Sequence, residues 1–117
     1  MTNTFDDHIA QYRGHAQEHG RATATGDNKA ANRHHDALLG VLAEIRKHGD
    51  VGGAALSTLL TDDDPSVRCW AASHCLGDHE AIAVAALERL AEAKTGIISF
   101  NAQMVLREWR SGRLEIP

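Results

Sequence analysis

Apolar residues return every three or four positions along most of the chain, in runs separated by glycine, proline or short acidic clusters. That period is the mark of amphipathic helices. Phe5, Ile9, Tyr12 and Ala16 share one face of a first helix. It starts near Thr4, because Thr4 and Asp7 form a capping-box-like pair and Asp6 and Asp7 load the first turn with negative charge. The pattern weakens after His19, and residues 20–28, GRATATGDN, predict a frayed helix end and a loop. A second helix over residues 28–48 carries Ala37, Leu38, Val41, Leu42 and Ile45 at the 3.6 period. Arg46, Lys47 and His48 fall in its last turn, where positive charge suits the dipole, and Gly49 ends it.

A third helix over residues 51–60 presents Ala55, Leu56, Leu59 and Leu60. The stretch that follows, LLTDDDPSVRCWAASHCLG, is written as a tight helix–turn–helix. Pro65 suits a first helical position, where its missing N–H would have had no partner, and Asp64 can cap the free N–H groups of the first turn. The fourth helix then carries Val67, Trp70, Ala71, His74 and Cys75 along one side, with Gly77 as a left-handed stop. Asp78 can cap a fifth helix, residues 80–94, with Ile82, Ala86, Leu87 and Leu90 as its stripe. Gly96 breaks the chain, Ser99 is the next cap, and Ala102, Val105, Leu106 and Trp109 form the inner face of a sixth helix closed by Gly112. Six helices on short turns make three antiparallel hairpins, each too narrow to bury its apolar face alone. The pattern therefore predicts an all-α fold, an α-α superhelix rather than a four-helix bundle, in a single domain over residues 1–117.

Composition agrees with helix: alanine and leucine dominate and only two prolines interrupt 117 residues. The net charge of −4 is spread over both halves, with seven acids against six bases in residues 1–50 and nine against six in residues 51–117. No basic stripe is available to neutralise phosphates, which argues against nucleic acid and leaves a basic protein surface as the better electrostatic match. Residues 1–10 have neither a basic nor an apolar targeting segment, and no apolar run approaches the roughly 18 residues of a membrane span. Cys69 and Cys75 lie about 120° apart on one helix and cannot bond to each other. These features predict a cytoplasmic protein with reduced thiols.

The spacing Asp64-Pro65-x-Val67-Arg68-x-x-Ala71-Ala72 resembles the HEAT-like repeat. With Asn32, Trp70, Phe100-x-Ala102 and Leu106-x-x-Trp109-x-x-Gly112, the chain is similar to a family of small bacterial HEAT-like domains of uncharacterised activity, often encoded beside secreted toxins. The resemblance implies small alanines at close helix contacts and an arginine, Arg68, paired with acids of the neighbouring turn. It also implies an immunity protein that binds and neutralises a cognate toxin. The second helix of each hairpin usually lines the inner surface of such arrays. This nominates Asn32, Asp36, Cys69, Ser73, Gln103, Arg107 and Arg110 as partner-binding residues. A scaffold or adaptor in an endogenous complex is the alternative. An enzyme acting on modified DNA bases is a further one, although such proteins carry a basic groove that this chain lacks.

The chemistry-bearing residues do not assemble into a catalytic motif. Eight histidines invite a metal, and His15 and His19 sit at i and i+4 on one helical face, but no third ligand stands at a clear position and a solvated face is expected. Cys75 and His79 have the same spacing, yet a helix stop at Gly77 and Asp78 would separate them. Residues 74 and 75 point about 100° apart, so His74 cannot activate Cys75, and His74 is expected in the core. With no phosphate loop, nucleophile elbow or apolar carboxylate pair, the sequence predicts no enzyme activity, no cofactor and no stoichiometric metal. Trp70 and Trp109 both fall on apolar stripes and are expected as core.

Overall fold

A computed structural model describes residues 4–94 and 96–117. Among them it contains six α-helices, a single 3-10 turn and no strand, which is the all-α class the periodicity predicts. The first helix, α1 (Thr4–Thr25), runs six residues beyond His19, into the stretch expected as a frayed end and loop. Its inner stripe continues to Ala22, which is buried like Tyr12 and Ala16, and the threonines that read as loop-formers serve the helix instead. Thr23 Oγ1 donates to His19 O (2.8 Å) and Thr25 Oγ1 to Arg21 O (3.2 Å). Gly26, at φ 76°, is the actual stop: Asp27 N donates back to Ala22 O (2.9 Å), so the carbonyls of the last turn find partners.

Asp27 at once caps α2 (Asn28–Arg46), its Oδ1 accepting from Ala30 N (3.1 Å). The two helices run antiparallel, as ring contacts of Phe5 with His48 and His15 with His34 show. Leu38, Leu42 and Ile45 are buried, and Ala37 and Val41 half-buried beside them. The third helix is short: α3 (Gly49–Ser57) gives way to a 3-10 turn at Thr58–Thr61, which tightens the chain before the acidic bend. Gly52 in α3 lies against the carbonyl of Ile45, where any Cβ would overlap backbone oxygen. Glycine is therefore required there for room, while its φ is ordinary.

The bend and α4 (Pro65–Cys75) follow the expected design closely. Asp64 is extended (φ −86°, ψ 123°), the conformation favoured before proline, and its Oδ1 accepts from Ser66 N (2.8 Å) and Val67 N (3.2 Å). Asp62 Oδ1 accepts from Asp64 N (2.9 Å). Arg68 differs from the expected ion pair: its Nη1 donates to the carbonyls of Asp62 (2.8 Å) and Asp63 (3.2 Å). Gly77 does not adopt a left-handed conformation, so α4 is not stopped there; a helical hydrogen bond carries on from His79 N to Cys75 O (2.8 Å).

The last two helices are α5 (Glu80–Glu92) and α6 (Ile97–Arg110). Gly96, at φ 74°, precedes α6, and Ser99 lies inside the helix rather than capping it. Ser99 is buried and donates from Oγ to Leu90 O of α5 (2.7 Å). Ala86, Leu87 and Leu90 of the predicted α5 stripe are buried, whereas Ile82 is 51 % exposed and Ala83 takes the inner position in the first turn. Gly112, at φ 76°, ends α6 as expected, with Arg113 N donating to Glu108 O (3.0 Å).

The chain forms two units: residues 1–56 with Pro117, and residues 57–116. In the first, α1 packs along α2; in the second, α4, α5 and α6 pack against one another, with the 3-10 turn on α4 and α5. Val67, Ala71, Ala72, Cys75, Leu76, Ala83, Leu87 and Ala102 are fully buried in this second unit. Alanines at four of these positions match helices that approach closely.

Two substitutions test this packing. Removing the cap with Asp64→Ala leaves Ser66 N and Val67 N without their acceptor, and chemical denaturation should show a loss of about 1 kcal/mol. Ala71→Leu forces three carbons into a fully buried site and should cost about 1 to 3 kcal/mol in the same measurement. An unchanged midpoint would place Ala71 away from a helix contact.

Candidate partner-binding surface

Four side-chain contacts hold α6 in a fixed rotation on α5. Besides Ser99 on Leu90 O, Gln103 Nε2 donates to Ala91 O (3.3 Å), Trp109 Nε1 to Glu80 Oε2 (2.8 Å) and Arg110 Nη2 to Glu88 Oε2 (3.1 Å). Trp109 is thus a half-buried strut with its indole N–H satisfied, rather than the core residue its stripe suggests. With Ala102 and Leu106 turned inward, the outer arc of α6 consists of Ile97, Phe100, Gln103, Arg107 and Arg110, all exposed. Phe100 is 58 % and Ile97 48 % exposed, so two large apolar side chains face solvent at one end of the helix and two cations at the other.

Between the arc and α5 runs an open groove of about 380 Å³, lined by Gln103, Arg107 and Arg110 together with Glu88, Glu92 and Leu106. Its charges alternate in sign: Arg110 is neutralised by Glu88, while Arg107 points out as an exposed cation. The ion pair is roughly half exposed on both sides and sets rotamers more than stability. A second groove of about 350 Å³ opens on the other side of α5, between Arg68, Arg89, Leu60 and Ala86. There Arg68 is held by the Asp62 and Asp63 carbonyls.

Three of the seven nominated residues, Gln103, Arg107 and Arg110, therefore meet on one surface. Asn32 and Asp36 belong to the first unit, where both are exposed on α2 and Asp36 Oδ1 lies 3.8 Å from His35 Nδ1. Cys69 and Ser73 are half-buried on α4, and Ser73 Oγ donates to Cys69 O (2.8 Å) instead of reaching outward. Burial pushes the Cys69 thiol up to about 11, so it stays protonated at neutral pH and is a poor nucleophile. Phe100 and Ile97 escaped the sequence-based nomination. The signal was present, since both fall off the Ala102–Leu106–Trp109 stripe.

The histidines of α1 are not on a solvated face. His15 and His19 are half-buried against His34 and His35 of α2. The His15 and His34 Nδ1 atoms are 3.1 Å apart, and the His19 and His35 rings 6.3 Å apart. A hydrogen bond between two ring nitrogens has one of them carrying the proton and the other accepting it. His19 is held below its ordinary pKa of 6.5, first by burial and then by the neighbouring His35 and His34. His74, as expected, is buried, with its ring 5.6 Å from that of Trp70.

The family model described as "Domain of unknown function (DUF2019)" matches residues 6–109. The chain belongs to the DUF2019 family. The DUF2019 match begins in the first turn of α1 and ends at Trp109, so it takes in the histidine cluster, the capped turn and all of the α6 arc except Arg110. No curated protein and no solved structure matches the chain.

His19 generates a pH dependence of stability whose sign follows from the direction of its shift. Its folded pKa lies below the unfolded value of 6.5, so the unfolded state takes up the proton first as pH falls. Stability should be constant above that value, decline as pH drops below 6.5, and level off once the folded state is protonated as well. Thermal melts from about pH 7 to about pH 5 should show this decline, and His19→Gln should flatten it. An equal slope in the variant would assign the dependence to other groups.

Proposed function

We propose that this chain is a non-enzymatic protein-binding domain whose α6 arc is the docking surface, and that its partner is a bacterial toxin which it neutralises. The observation that carries the binding role is the exposed Phe100 and Ile97 beside Gln103, Arg107 and Arg110. Two large apolar side chains exposed at one end of a helix face that carries arginines at its other end have the composition of an interface anchor. The toxin assignment rests on the resemblance to toxin-associated HEAT-like domains. Cys69, protonated and half-buried, is a poor nucleophile, which fits a protein that acts by occlusion.

The arc also specifies something about the partner. Although the chain as a whole carries a net charge of −4, the arc itself bears two cations, of which Arg110 is neutralised by Glu88, so Arg107 is the charge it presents to a partner. The complementary surface is an apolar pocket for Phe100 with an acidic rim. No helix among the described residues is long and apolar enough to cross a membrane.

The test is co-expression with the product of a neighbouring toxin gene. A toxin that kills cells alone should be tolerated with this chain present, and the two proteins should co-purify. Phe100→Ala should weaken the complex by at least about 2 kcal/mol, roughly 30-fold, and Arg107→Glu should slow association, with circular dichroism unchanged in both. Protection that survives both changes would remove the arc from the mechanism. Failure to bind any neighbouring gene product would leave an endogenous scaffold as the better reading.

A further inference from the structure

We propose that the turn from Cys75 to His79 binds a divalent transition metal of the zinc type through the Cys75 thiolate, an Asp78 carboxylate oxygen and a ring nitrogen of His79. The sequence alone argues against this, because a left-handed stop at Gly77 would swing Cys75 and His79 apart. The backbone does the opposite. Gly77 keeps an ordinary φ, His79 N donates to Cys75 O (2.8 Å), and the i, i+4 relation of the two side chains survives past the end of α4. His79 is fixed from the other side as well, since its carbonyl accepts from Ala83 N (3.0 Å) in the first turn of α5. Its ring takes no part in capping that helix.

The three ligand atoms all lie within 4.8 Å of one another. Tetrahedral coordination with ordinary zinc bond lengths needs separations of roughly 3.3 to 3.7 Å, so side-chain adjustments of about an ångström suffice. One pair is already in place. His79 Nδ1 and Asp78 Oδ1 are 3.2 Å apart, close to the nitrogen–oxygen edge of such a tetrahedron. That same Nδ1 is buried and has no hydrogen-bond partner, so the approach to Asp78 is not aligned for a proton between them. A buried ring nitrogen facing a carboxylate oxygen with no hydrogen bond is the arrangement a cation would complete.

Sulfur, nitrogen and oxygen donors together suit zinc rather than magnesium or calcium, which select oxygen alone. The C-terminus of α4 favours a cation at this point and the N-terminus of α5 opposes it. The helix ends thus roughly offset, and the thiolate and carboxylate neutralise the ion. Three protein ligands leave the fourth position to water, and because binding displaces the thiol proton, affinity rises with pH. Cys75 is fully buried, His79 half-buried and Asp78 exposed, so the ion enters from the Asp78 side. Among the described residues this is the group of three that meets the geometry; the His15–His34 pair has no third donor within the same reach.

The experiment uses the full chain, dialysed against chelator and titrated with cobalt. One equivalent should produce a thiolate-to-cobalt charge-transfer band that zinc then displaces, and zinc should raise the unfolding temperature. His79→Gln and Asp78→Asn, which leave the core intact, should each weaken cobalt binding at least about tenfold. Cys75→Ser should abolish the band, while Cys69→Ser should leave it unchanged. The site is overturned by a titration without a charge-transfer band, by a band that persists at full affinity in His79→Gln, or by one lost in Cys69→Ser. Cobalt binding that depends on His15 rather than His79 would also overturn it.

Discussion

Arg68 closes the bend that Asp64 opens. Three successive acids would repel one another and fray the start of α4 if their backbone were left to solvent. Instead Asp64 accepts two helix N–H groups, Asp62 accepts the N–H of Asp64, and the Arg68 guanidinium spans the Asp62 and Asp63 carbonyls. A charged donor on neutral carbonyls keeps its strength without requiring a buried carboxylate, so the contact avoids the desolvation cost of an internal ion pair. The direction in which α4 leaves the bend is thereby set. The burial of Val67, Ala71, Ala72 and Cys75 depends on that direction.

The rotation of α6 is decided by a similar economy of polar contacts. Ser99 and Gln103 donate to carbonyls near the end of α5, and Trp109 and Arg110 reach carboxylates of the same helix. These contacts span most of α6, so a rotation that buried Phe100 would break several of them. Exposed apolar residues on the arc follow from that arrangement, and so does the side-by-side placement of Gln103, Arg107 and Arg110 along the groove.

Imidazoles are used differently in the two units. In the first, four half-buried rings on α1 and α2 face one another, and His19 is held below its ordinary pKa because a proton added there is poorly solvated and close to other rings. In the second, His74 is buried beside Trp70, and His79 sits at a helix junction next to a thiol and a carboxylate. The same residue type therefore supplies packing, a titrating contact and a ligand geometry, according to what surrounds it.

The all-α class, the number of helices, the Asp64 cap, Pro65 at the first position of α4 and the Gly112 stop were all legible in the sequence. Each is a local effect, set by backbone conformation and by side chains within a few residues. The periodicity also placed Leu38, Leu42, Ile45, Leu87 and Leu106 in the core. Tertiary structure decided the rest. α1 persists through Gly20 because Ala22 is buried and the threonines bond back to the helix, a gain that propensity alone does not register. Ile82 and Phe100 turn outward because cross-helix bonds choose one rotation among several that the apolar pattern allows. The meeting of His15 with His34, and of Cys75 with Asp78 and His79, depends on helix register and on the φ of a single glycine. Neither quantity is encoded in the spacing of the residues themselves.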